Sequence, residues 1–136
     1  VALSAWVPAV SDDVVAAGLP PEEAIAETLG ALAGRVLLAH HHHIEVDFLS
    51  RACQHYFGAP FVTPAVDTML LHRQIIAPGF NDEPRIDDLR LWNARDRYRL
   101  PRYGAHSAGV DALACAELYL AQLTDLGEVS LKALSA

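Results

Sequence analysis

Five residues, Arg35 to Ala39 (RVLLA), most restrict what this chain can become. A short apolar run that follows a glycine stop, Gly34, and gives way at once to four consecutive histidines, His40 to His43, reads as a buried strand. Upstream, Ile25, Leu29 and Leu32 recur at i, i+4 and i+7, one apolar stripe of a helix opened by Pro21, with Glu22 and Glu23 complementing its positive end. Downstream, from about Ile44 to Phe57, Ile44, Phe48, Ala52 and Tyr56 recur at four-residue steps, flanked by Leu49 and Cys53, with Glu45 bordering the stripe and Asp47 pointing away. Helix, strand and helix in succession predict an α/β layer architecture. In such sheets, sites form where the carboxyl end of a strand turns into a helix.

The remaining segments fit this frame. Val1 to Val10 reads as a strand or extended segment stopped by Pro8, and Ser11 with Asp12 and Asp13 caps a short helix to about Ala17. After the break at Gly58 and Pro60, residues 61–66 supply a second short strand, and Asp67 caps the helix that runs to about Ile76 with Leu70, Leu71 and Ile75 inward. The stretch 77–84 (APGFNDEP) is the longest loop signal. Ile86, Leu89 and Trp92 mark a helix from about Asp87 to Tyr98, where Arg95, Arg97, Arg99 and Arg102 form a local basic cluster. A last helix from about Ser107 to Leu123 carries Leu113, Ala116, Leu120 and Leu123 on its core face, and the residues from 124 onward form a fraying tail.

Composition narrows the function classes. With 136 residues, 52% of them hydrophobic, the chain suits one domain with one core, taken as residues 1–136. A net charge of −7 argues against holding nucleic acid by broad electrostatic attraction, yet it suits an enzyme whose carboxylates are neutralised by divalent ions. Cys53 and Cys115 lack metal-ligand spacing and read as small buried residues of a cytosolic protein. No apolar run approaches the roughly 18 residues that span a bilayer, so no membrane partner is expected and the location expected is cytoplasmic.

Three pieces stand in order: AHHHHIEVDFL at 39–49, VDTMLLHR at 66–73 and AHSAGVDALA at 105–114. Together they resemble the DEDDh family of 3′ to 5′ exonucleases, the DnaQ-like, DNA polymerase III epsilon-subunit type, within the ribonuclease H-like superfamily. The resemblance extends from about Val7 to Leu123. It implies a ribonuclease H-like fold that hydrolyses phosphodiester bonds at 3′ ends of single-stranded DNA or RNA with two divalent ions, magnesium or manganese. In that mechanism two ions about 4 Å apart stabilise the attacking and leaving oxygens. Carried over, His106 takes the general-base position, Asp111 a metal-ligand position, and Glu45 the place of the second-motif acid, one methylene longer than the family's usual aspartate. His40, His41 and Arg102 are the candidate nucleic-acid contacts, and Asp67 falls at a helix-capping position rather than a ligand position.

The family's opening Asp-x-Glu motif has no counterpart here, since Val1 to Val10 contains no acidic residue. The resemblance therefore implies a domain truncated at its N-terminus, with weak or no activity and with the ions absent or loosely held. An exposed sheet edge would then invite a homodimer, and a larger polypeptide or a polymerase would be the partner. Two other readings stand beside this one: a non-catalytic nucleic-acid or protein interaction module of the same fold, and a histidine-rich binder of a transition metal through His40 to His43 with His72. Against the last, adjacent histidines on a strand point to alternating faces, so four cannot reach one ion.

Overall fold

The computed structural model describes residues 11–79, 83–103 and 107–127. Two parallel three-residue strands lie at the centre: β1 (Leu37–Ala39) and β2 (Ala65–Asp67), paired with Leu37 opposite Ala65 and Ala39 opposite Asp67. Among the described residues there are six α-helices: α1 (Asp12–Ala16), α2 (Pro21–Leu32), α3 (His43–Phe57), α4 (Thr68–Ile76), α5 (Leu91–Arg97) and α6 (Ala108–Leu126). The mixed α/β character and both expected parallel strands are therefore present, each strand shorter than its apolar run. Parallel neighbours need a crossover, and α3 supplies it. Val1 to Val10 and the end of the tail lie outside the described residues.

The local signals act where their chemistry requires. The Ser11 hydroxyl accepts from the Val14 N–H at the start of α1. Gly34 (φ 71°) ends the α2 segment and Gly58 (φ 73°) ends α3, both in the left-handed region that glycine enters without a Cβ penalty. Among the described residues, two apolar clusters form the core. Ile25 of α2 packs with Leu49 and Cys53 of α3, joined by Leu29, Leu32 and Phe61. Val66 of β2 and Leu71 of α4 pack with Leu38, Tyr119 and Leu123, so α4 and α6 cover one face of the sheet.

Three expectations are corrected. On α3 the four-residue stripe is not the buried face: Ile44 and Phe48 are 63% and 65% exposed, whereas the flanking Leu49 and Cys53 are buried. Phe48 and Tyr56 instead line an open apolar groove of about 1000 Å³ between α2 and α3. On α6 the buried residues are Ala114, Cys115, Leu118 and Gln122, while Leu113 and Leu120 are exposed. The buried Gln122 is matched there, its Nε2 donating to the Thr68 carbonyl at 2.8 Å.

The single helix expected from Asp87 to Tyr98 is two pieces, a 3-10 turn (Ile86–Leu89) and α5, with Arg90 extended between them (φ −64°, ψ 145°). The Leu89 carbonyl, which a continuous helix would use internally, meets the ring of His40. Ile86, taken as part of that helix's apolar face, is 82% exposed.

Candidate active-site cavity at the strand ends

The four histidines do not lie on a strand. β1 ends at Ala39, and His40 to His42 make the turn that starts α3. His41 adopts φ 70°, a left-handed conformation that costs a non-glycine residue about 1 kcal/mol and must be held from outside. Asp67 holds it. Its Oδ1 accepts from the N–H groups of His41 (2.9 Å) and Met69 (2.8 Å), and its Oδ2 accepts from the His42 N–H (3.0 Å) and ring Nδ1 (2.9 Å). Burial opposes the charge on this 1%-exposed carboxylate. The His42 ring and the three N–H groups outweigh that cost and hold its pKa below the usual carboxylate range.

Asp67 is thus the expected cap of α4 and also the tie between the two strand ends. The second role follows from the parallel pairing of β1 with β2, which sets the two strand-to-helix junctions side by side.

His40 is engaged at both ring nitrogens, with Nε2 2.8 Å from the Leu89 carbonyl and Nδ1 2.9 Å from the Thr68 hydroxyl. A carbonyl only accepts, so Nε2 carries a proton. Burial lowers the pKa of His40 against the opposing pull of the Leu89 carbonyl and Asp67, which favours the neutral ring, and the Thr68 hydroxyl has one proton to offer between His40 Nδ1 and the Ala39 carbonyl 3.3 Å away. The fully buried Thr68 hydroxyl also lies 3.4 Å from Cys115 Sγ. Burial first, then the charges of Asp67 and Glu45, push the Cys115 thiol up against the Thr68 hydrogen bond, which makes it a poor nucleophile.

Beyond this framework the strand ends open into a cavity of about 550 Å³. Glu45, from the first turn of α3, and Asp111, from the first turn of α6, both line it, as do His40, Cys115 and Trp92. Glu45 Oε2 is buried and finds no hydrogen-bond donor among the described residues. A buried carboxylate oxygen without a donor is costly unless a cation or a solvent molecule satisfies it. The donor set is two carboxylates and a neutral imidazole already committed elsewhere. It fits a hard, oxygen-preferring cation better than a transition metal. Among the described residues no group of three or more ligating side chains is assembled, so the histidine run makes no metal cluster there.

The other candidates fall elsewhere. His106 lies outside the described residues. His41 is exposed, its N–H bound to Asp67. Arg102 is an exposed side chain paired with Asp96 and does not line the cavity.

The basic cluster is largely neutralised. Arg97 meets Asp125 at 3.7 Å. Arg95, counted with that cluster in the sequence, is 1% exposed: it donates to the Ala114 and Pro101 carbonyls and to Glu117 Oε2, which makes it a tie between α5 and α6. Tyr103 completes this group by donating to Glu117 Oε1 at 2.7 Å. No helix among the described residues is long and apolar enough to cross a membrane. No protein-family model matches the chain, and no curated protein and no solved structure is significantly similar to it.

Proposed function

We propose that this domain is a 3′ to 5′ exonuclease-type module that engages the 3′ end of single-stranded nucleic acid, with Glu45 and Asp111 holding a divalent cation. The observation that carries the reading is the convergence of these two carboxylates on one cavity at the strand ends, with Glu45 Oε2 buried and unmatched. When bound, magnesium or manganese supplies charge neutralisation for a phosphodiester and makes a water more acidic. The chain's own residues do the positioning: Asp67 fixes the turn from which Glu45 projects, and Thr68 and Leu89 fix the His40 ring beside it. His106 is the residue assigned to proton acceptance by the motif resemblance. Two carboxylates suffice to hold one cation and are few for two, so hydrolysis by these residues is expected to be slow.

The test pairs a binding readout with an activity readout. Manganese should raise the melting temperature, and Glu45→Gln or Asp111→Asn should abolish the rise. Slow manganese-dependent release of mononucleotides from a labelled single strand should disappear in His106→Ala while the thermal shift remains. A thermal shift without release at high protein concentration would favour the non-catalytic module. Absence of both would refute the cation site.

A further inference from the structure

The two strands are covered unequally. Ala65, Val66 and Asp67 of β2 are buried, whereas Leu37 and Leu38 of β1 are only half-buried. Successive strand residues point to opposite faces, and each of these leucines meets an open space. Leu37 lines the apolar groove between α2 and α3, and Leu38 lines the strand-end cavity. Glu45 borders both spaces, and no residue of β2 lines either. Among the described residues β1 pairs with β2 alone, so its other edge can take a further strand. We propose that Val1–Val7 of this chain is that strand, joining β1 at its second edge and laying its apolar side in the groove.

Pattern, charge and length select this occupant. In an extended segment Val1, Leu3, Ala5 and Val7 fall on one face, and Pro8, which has no N–H, ends the strand. Residues 1–10 carry no charged side chain, and the groove's charged lining residues are Glu45 and Arg51, so contact between the two is chiefly apolar. The lining follows α2 from Pro21 to Leu32, roughly 18 Å of helix, and seven strand residues span roughly 23 Å. The connection through residues 8–20, which includes the short α1, can extend roughly 30 Å, enough to return along the groove from Pro21.

A second copy of the folded domain fits this place less well. A two-fold contact sets the same patch against itself, and two concave faces do not fill one another. An extended segment brings both things the place lacks: main-chain groups for the edge of β1 and apolar side chains at every second position for the groove. Such a strand is held whether or not the cavity takes a cation.

Trp6 lies within the segment and reports on it. In the full chain carrying Trp92→Phe it is the only tryptophan, and acrylamide quenching reads its shielding. At concentrations where gel filtration shows a monomer, Trp6 should be protected relative to the same chain in urea. Leu3→Asp puts a charge on the groove side of the segment, and Thr28→Glu puts one in the groove wall at an exposed helical position. Each should remove the protection, because burying an unpaired carboxylate is costly, and leave the far-ultraviolet circular dichroism of the helices unchanged. Trp6 quenched as freely in the folded chain as in urea would overturn the proposal. So would protection that survives either substitution, which would place the segment elsewhere, and protection seen only in a dimer, which would assign the groove to a neighbouring copy.

Discussion

Asp67 shows how one side chain can organise a site it does not line. Four donors from two junctions meet its two oxygens, and three of them are backbone N–H groups that no substitute side chain at another position could satisfy. Removing a buried, hydrogen-bonded charge leaves each donor unmatched, and such losses typically cost about 3–5 kcal/mol. Asp67→Ala should therefore lower unfolding free energy by about 3 kcal/mol or more in urea denaturation, and Asp67→Asn by less, because the amide keeps one good acceptor. The capping role of this residue was legible in its position before an apolar-periodic segment. Its hold on His41 and His42 was not, because that depends on strand pairing across a separation of about 25 residues in the chain.

At the scale of elements, α3 separates periodicity from burial. Of its most regular apolar stripe, Phe48 and Tyr56 line an open groove and Ile44 is exposed outside it, and the residues one position further along, Leu49 and Cys53, enter the core. The two faces carry different energetic weight. Leu49→Ala should cost about 2–4 kcal/mol in chemical denaturation, whereas Phe48→Ser should stay within about 0.5 kcal/mol, as exposed substitutions do. A large loss at Phe48 with none at Leu49 would mean that the stripe is buried after all. The break between the 3-10 turn and α5 follows the same logic from the other side. Local periodicity through Ile86, Leu89 and Trp92 favours one helix, and the His40 ring competes for the Leu89 carbonyl that such a helix needs.

For the molecule as a whole, the buried histidines set the response to acid. Burial is the main cause that pulls both His40 and His72 below the ordinary histidine range, and at His72 the charge of Arg97, with that of His40 once protonated, adds to it. As pH falls past about 6.5, the unfolded chain takes up protons at these positions while the folded chain resists them. The unfolded state then binds more protons, so the contribution to stability is complete above about pH 6.5 and is lost as pH falls towards the folded values. Asp67, with a depressed folded pKa, extends the loss: its contribution is present above its unfolded value near 4 and disappears as pH falls through its folded value. The urea midpoint should be lower at about pH 5.5 than at about pH 7, and His72→Gln should flatten the difference. A midpoint that rises on acidification would contradict the assignment of neutral buried imidazoles.

Local chemistry set the two parallel-strand segments, the caps at Ser11 and Asp67, the glycine stops, and the residue types at the strand ends. These follow from propensity, periodicity and turn chemistry within a few residues, which a single sequence carries in full. Tertiary structure alone decided which apolar residues are buried, which arginine is structural, and that Glu45 and Asp111 share a cavity with Trp92. Each of those outcomes depends on contacts between segments far apart in the chain, where the desolvation of a charge or the capture of one carbonyl by a distant ring outweighs the local preference.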